Sequence, residues 1–240
     1  LIQLEGRNPV QEGLKGDLVT LLRVEKGKEN DPRLKEILED ARKKNVAVEM
    51  VPKPKLDAMS HTGHHQGIIA IAQPKPTWSL EKVLEETGSD VCVLVLDQVQ
   101  DPHNLGAILR TAEAAGVDGV VIPKKETASL GPTVHRVSMG GSLHVPVWQQ
   151  SLYMAIKALS DEGVTVIGLD ASGATAYYEE NLTGPVAFVI GGEDRGVNPT
   201  LTAKCDKVVR IPMRGHLESL NVSVATGIVL YERLRQQETK

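Results

Sequence analysis

Three clusters of polar residues and glycines stand apart from the apolar runs around them. In "DPHNLGAILRTAEAAG", Asn104, Gly106 and Arg110 share a stretch otherwise filled by Leu105, Ala107, Ile108, Leu109, Ala112 and Ala115. A cation among small apolar residues reads as an anion or substrate contact, or as a surface arginine snorkelling off its helix, and the segment alone leaves both open. In "VIGGEDRGVNP", Gly191, Gly192 and Gly196 surround Glu193. Glycines there let backbone amides face a ligand, and the carboxylate can accept from that ligand or cap the next turn. The loop is neither the lysine-bearing phosphate motif GxxxxGK[ST] nor the dinucleotide motif GxGxxG. In "IPMRGHLESLNVSVATG", Ser219, Asn221 and Ser223 head an apolar stretch. Ser219 or Asn221 reads as a helix cap, and equally the set reads as ligand contacts.

The elements that position these clusters follow from periodicity. Short β-branched runs at Val91–Leu96, Val120–Ile122, Val164–Leu169, Val186–Ile190 and Val208–Ile211 have the form of buried parallel strands. Helical patterns at Leu105–Ala115, Leu152–Glu162 and Leu220–Arg235 lie between them, with Asn104 a candidate cap for the first. The alternation predicts a doubly wound α/β sheet. Ligands on such sheets sit beyond the carboxyl ends of the strands, where all three clusters fall.

An amino-terminal region has its own pattern. Asn8 to Leu14 reads as a helix capped by Asn8 with Pro9 at its first position. Asp31 to Lys44 places Leu34, Ile37, Leu38 and Ala41 at helical spacing, and strands are expected at 17–25, 46–51 and 67–73. The prolines of "QPKPTWS" mark a linker. The expected organisation is a small α/β domain at 1–73, a linker at 74–79 and a larger domain at 80–240.

Composition excludes several classes. No run approaches the roughly 18 apolar residues that span a bilayer, and no charged-then-apolar leader opens the residues given. Two cysteines give no disulfide framework, which points to a reducing cytoplasm. With 27 Lys and Arg against 31 Asp and Glu, the net charge of −4 excludes nucleic-acid binding by bulk electrostatics alone. A local basic surface drawn from Arg110, Lys124, Lys125, Arg136, Arg195 and Arg214 stays open, as does its alternative, scattered solvated charge. Aromatics at 3% argue against a stacking platform for bases. His61, His64 and His65 cluster without a carboxylate or thiolate at ligand spacing, so no metal site is expected. No histidine forms a recognisable nucleophile pair, and Gly140-Gly141 reads as a turn or a close contact.

Taken together, the three clusters resemble the signature motifs of the SpoU/TrmH-type RNA 2′-O-methyltransferases of the SPOUT superfamily. Asn104, Gly106 and Arg110 match Asn-x-Gly-x-x-x-Arg; Gly191, Glu193 and Gly196 match Gly-x-Glu-x-x-Gly; Ser219 to Ser223 match Ser-Leu-Asn-Val-Ser. All three stand in family order, each after an expected strand. "LEGRNPVQEGLKG" and "HHQGIIAIAQP" resemble the start and end of the small RNA-binding domain of the family's ribosomal-RNA branch, so the resemblance spans nearly the whole chain.

The resemblance implies a trefoil-knotted SPOUT domain, with a mostly parallel sheet flanked by helices, behind a small α/β RNA-binding domain. It implies S-adenosylmethionine held by Gly191, Gly192, Glu193, Gly196, Ile211, Met213 and Leu220. Arg110, Asn104, Glu193, Ser219 and Asn221 become the expected catalytic set, with Arg110 either a general base or a charged grip on RNA. The implied reaction is ribose 2′-O-methylation of RNA by a homodimer, with a guanosine of large-subunit ribosomal RNA as the expected target. Transfer RNA, or a ribosomal site of antibiotic action, is the alternative substrate. Two other classes compete: a non-catalytic RNA-binding or ribosome-assembly factor on the same scaffold, and a Rossmann-type nucleotide enzyme. Five intact polar positions argue against the first, and the missing glycine fingerprint against the second.

Overall fold

Asx-Pro steps and short β-branched runs set most of the element boundaries in the computed structural model, which describes residues 1–74, 79–87, 90–192 and 196–239. The chain divides into two compact units. One gathers residues 1–76 with 129–144, and the other 77–128 with 145–240.

The first unit contains β1 (Ile2–Glu5), α1 (Arg7–Lys15), β2 (Val19–Glu25), α2 (Pro32–Lys43), β3 (Ala47–Val51), α3 (Lys53–Met59) and β4 (Ile68–Ala72). Its sheet runs β1-β4-β2-β3 among the described residues. β4 is antiparallel to both neighbours, and β2 and β3 are parallel. α2 starts as its residue types predict: Asp31 accepts from the Arg33 and Leu34 amides at 3.1 and 3.2 Å, and Pro32 fills the first position. Its buried stripe is Leu34, Ile37, Leu38 and Ala41. α1 departs from expectation. The chain turns at Gly6 (φ +93°), two residues before the expected cap at Asn8, so Asn8 lies inside the first turn. Its side-chain oxygen instead accepts from Arg33 at 2.5 Å.

The second unit contains α4 (Leu80–Thr87), β5 (Cys92–Leu96), α5 (Pro102–Ala114) and β6 (Gly119–Ile122). The chain then visits the first unit, adding α6 (Pro132–Val137). It returns with β7 (Val147–Gln149), α7 (Leu152–Asp161), β8 (Thr165–Leu169), β9 (Thr175–Ala176), β10 (Val186–Ile190), α8 (Pro199–Thr202), β11 (Lys207–Arg210) and α9 (Val222–Glu238). The sheet order among the described residues is β7-β6-β5-β10-β8-β11-β9, and every pairing is parallel. β5 and β10 are buried along their whole lengths, which is why both read as unbroken apolar runs. Val93 and Val95 of β5, Val166 of β8 and Ala187 and Val189 of β10 pack with Leu80 of α4 and Leu152, Ala155, Ile156 and Leu159 of α7. α5 packs along α9. After β5 the chain winds outward to β6 and β7, then crosses to β8 and later inserts β10 between β5 and β8. That reversal places the β5 and β10 ends at the switch point of the sheet, where a crevice forms.

Candidate active site

The loop after β10 is shaped by contacts only glycine permits. A Cβ on Gly191 would lie 2.0 Å from the Gly196 carbonyl carbon, and one on Gly192 would lie 2.6 Å from the Gln98 carbonyl oxygen. Both are backbone atoms that cannot yield, so the loop closes on itself and against the end of β5. Gly192 and Gly196 pair across it as an isolated bridge. Asp97, at the end of β5, accepts from the Asn198 amide at 2.9 Å and fixes the far side of the loop. Burial pushes the Asp97 carboxyl up, and the Asn198 amide opposes that shift only in part.

Beside this loop lies a cleft of about 370 Å³. Gly191, Gly192 and Gly196 form one side, Ile211, Met213, Ser219 and Leu220 another, and Leu169, Asp170 and Ala171 line it from the end of β8. Six of the seven expected cofactor residues therefore meet in one place. Glu193 and Arg195 lie outside the described residues. The charged side chains of the lining are Asp170 and Glu218, with no lysine or arginine among the described residues. Glycine backbone, aliphatic walls and carboxylates suit an adenosine-type ligand without phosphates, and the volume lies within the usual range for such sites. S-adenosylmethionine fits that description, being uncharged on its nucleoside and cationic at sulfur and amine.

Of the expected catalytic residues, only Ser219 lines the cleft among those described. Asp101, not Asn104, caps α5: Pro102 occupies the first position, and the Asp101 carboxylate accepts from the His103 amide at 2.7 Å. Asn104 thus falls in the first turn, where it is buried. Its oxygen accepts from the Asn221 side-chain amide at 3.0 Å. Asn221 is the cap of α9, its own oxygen accepting from the Ser223 amide at 3.0 Å and the Ser223 hydroxyl at 2.6 Å. Ser219 lies in the cleft wall, so of the two candidate caps it is the one free for a ligand. Arg110 is exposed on α5, with no hydrogen bond or ion pair among the described residues. Six positions place it about 9 Å along the axis from Asn104 and roughly a third of a turn around it.

Other candidates separate. Arg136 belongs to the first unit, whereas Arg110, Lys124, Lys125 and Arg214 belong to the second. His65 is structural: it meets Asp57 at 2.8 Å and accepts from the Gly67 amide at 3.0 Å. One histidine meets a serine where Gly140 (φ +95°) turns the chain back. His135 Nδ1 lies 2.8 Å from Ser142 Oγ. Burial holds that imidazole down at about 4, too weak a base to activate a hydroxyl, and the pair serves packing. Asp97, Asp170 and Glu218 are the site residues that sequence reasoning missed. Their one signal was position, since the two aspartates directly follow strands.

Residues 91–231 match the family model described as the SpoU rRNA Methylase family, and residues 3–78 match RNA 2′-O ribose methyltransferase substrate binding. The chain is 41% identical over 238 residues to a 23S rRNA (guanosine-2′-O-)-methyltransferase RlmB of Xanthomonas axonopodis pv. citri, covering 97% of this chain and 95% of that protein. The RlmB of Pseudomonas putida is 39% identical over 215 residues, covering 88% and 86%. Among solved structures, the SpoU methyltransferase AviRb from Streptomyces viridochromogenes, in complex with AdoMet, superposes with a TM-score of 0.83. It covers 99% of this chain and 91% of its own at 23% identity, a likeness of fold.

Proposed function

The chain belongs to the SpoU rRNA methylase family, and on that premise we propose that it methylates a ribose 2′-hydroxyl of ribosomal RNA, with a guanosine of the large-subunit RNA as its target. One observation carries the reading beyond family membership. The carboxylate-lined cleft at the switch point, without a lysine or arginine among its described lining residues, is joined to the Arg110 helix through Asn221 and Asn104. A nucleoside site and a cation are thereby held on one frame.

S-adenosylmethionine supplies an electrophilic methyl on a sulfonium that departs as a neutral thioether. The task left to the chain is to align the ribose oxygen and carry away its proton. A guanidinium is a cation at any working pH, so the role for Arg110 is that of a charge and not of a base. It grips an RNA phosphate and stabilises negative charge developing on the ribose oxygen. The proton passes to Glu193 or to water. Asn104 and Asn221 lock the start of α9 to α5, and Ser219 at the cleft edge orients the incoming ribose.

Substrate-binding homology at 3–78 supports the amino-terminal domain, 1–73, as the RNA-gripping part; 129–144 join that unit, the rest of 80–240 carries the reaction, and 75–78 of the 74–79 linker lie outside the described residues. The homodimer and the trefoil knot are also part of this reading. The first half of α9 is largely apolar, and Val224 and Tyr231, seven positions apart on one face, stay 51% and 53% exposed. Such a stripe suits a second copy of the chain. The far end of α9 is fastened by Arg233 to Asp90 at 2.8 Å and by Gln236 to the Glu180 carbonyl at 3.0 Å, which is compatible with a threaded segment. No helix of the described residues is long and apolar enough to cross a membrane. Action on ribosomal RNA places the protein in the cytoplasm.

The test is transfer of tritium from labelled S-adenosylmethionine to ribosomal RNA, followed by nuclease digestion. The expected product is a ribose-methylated guanosine. Label on a base, or none at all, overturns the assignment.

A further inference from the structure

The cleft contains a carboxylate that the catalytic roles leave unused. Asp170 is the first residue beyond β8, and it lines the cleft from that strand's carboxyl end. Its Oδ1 accepts from the Ser172 amide at 2.9 Å and from the Ser172 hydroxyl at 2.6 Å, which fixes the side-chain torsions. Its Oδ2 makes no hydrogen bond among the described residues. That oxygen lies only 2.9 Å from where a Cβ at position 196 would stand, so Gly196 leaves room for it. The chain thus spends one oxygen on orientation and presents the other at the glycine loop.

Position on the sheet limits what that oxygen can meet. β10 separates β8 from β5, so at the usual spacing the end of β8 lies about 10 Å from the end of β5, beyond which α5 begins. The reacting methyl must lie toward α5, where Arg110 and Asn104 stand. Asp170 therefore faces a part of the ligand held away from the reaction. Around it are Leu169, Ile190, Ile211 and Leu220, an apolar set suited to a purine nucleoside. The amino-acid tail is the weaker fit there, because its ammonium comes paired with a carboxylate that Asp170 and Glu218 would repel. A vicinal diol is a good one. Acidic side chains beyond parallel strands accept from ribose hydroxyls in dinucleotide-binding folds for the same reason: the hydroxyls donate and carry no charge of their own.

We propose that Asp170 Oδ2 accepts hydrogen bonds from the ribose hydroxyls of S-adenosylmethionine, with Ser172 as the residue that orients it. The inference rests on the cofactor reading above and assigns Asp170 to binding, not to methyl transfer.

Calorimetric titration tests it, using S-adenosylhomocysteine and an analogue of it that lacks both ribose hydroxyls. Wild-type protein should bind the analogue about ten- to a hundredfold more weakly, as loss of a charge-assisted hydrogen bond implies. Asp170→Asn and Asp170→Ala should bind S-adenosylhomocysteine with a loss of the same order, and should barely distinguish it from the analogue. Unchanged RNA affinity without cofactor, together with an unchanged melting temperature, checks that both variants are folded. The inference is overturned if either folded variant binds S-adenosylhomocysteine within twofold of wild type. It is equally overturned if losing the hydroxyls costs the variants as much as it costs wild type. Wild-type protein that binds neither ligand would sink the cofactor reading itself, a result separable from the other two.

Discussion

Asn221 donates its side-chain amide to the buried oxygen of Asn104 across 3.0 Å, while its own oxygen caps α9. One side chain therefore starts the last helix and ties it to the helix that carries Arg110. Replacing it by alanine removes a cap, at about 1 kcal/mol, and leaves the Asn104 oxygen buried without a donor, at roughly another 1–3 kcal/mol. Asn104→Ala breaks the same tie from the other side. The two substitutions should be strongly non-additive in methyl transfer, with a coupling energy of about 0.5–3 kcal/mol. A double-mutant cycle on single-turnover rates measures it, and strict additivity would contradict the shared role.

Arg110 has no partner among the described residues to keep it in place, so its job lies with something that arrives. Arg110→Ala is expected to lower kcat by about two to three orders of magnitude, the scale of a lost charge stabiliser. Binding of S-adenosylhomocysteine should be unchanged, because Arg110 does not line the cleft. Arg110→Lys keeps the charge and loses the planar fork, so it should rescue little. Near-wild-type turnover in the alanine variant would remove Arg110 from the mechanism.

Much of this arrangement is legible in the residues, and the failures have physical causes. β5 and β10 are readable because a strand buried on both faces must be apolar throughout. The start of α2 is readable because Asp31-Pro32 pairs a favoured cap with the proline that follows it. Asp101-Pro102 and Asn198-Pro199 obey the same rule, so Asn104, a residue type that favours caps, is instead a buried link. β1 is four residues long and gains its stability from pairing with β4, a partner more than sixty residues away that local pattern cannot reveal. Residues 129–144 join the first unit for a similar reason: Leu143 packs into a core built by Leu4, Val10 and Leu14. Asp170 went unnoticed because an aspartate after a strand resembles any turn residue until its neighbours are known.

In the first unit, Glu5 is fully buried and accepts from Ser60, the His61 amide, Thr62 and Gln3. Burial pushes its carboxyl up, but the donors outweigh that and bring it from 4.5 down to about 2. A carboxyl depressed on folding stabilises above its unfolded pKa, and the contribution is lost as pH falls from about 4.5 toward 2. The linkage is worth roughly 3 kcal/mol at neutral pH. Glu5→Gln should forfeit most of it at pH 7, and the gap from wild type should narrow steadily below pH 4. Amide exchange at His61 and Thr62 in the full chain, measured at pH 7 and again at pH 4, reads this locally. A gap that does not change with pH would refute the charge as its source.

Val224 and Tyr231 give the dimer its most direct test. Both lie on the exposed side of α9, opposite the buried Val222, Val229 and Leu230, so changing them leaves the core of the unit intact. Val224→Asp with Tyr231→Glu places two charges where a second copy would have to desolvate them, at a cost of several kcal/mol. Sedimentation of the wild type should give a mass near twice that of the 25.9 kDa chain, and the double variant should sediment as a monomer with an unchanged circular dichroism spectrum. Neither residue lines the cleft, so the variant's affinity for S-adenosylhomocysteine separates two arrangements. Affinity that survives dissociation means the cofactor site is complete within one chain, and affinity lost with it means the second copy completes the site. A double variant that still sediments as a dimer would place the interface elsewhere on the molecule.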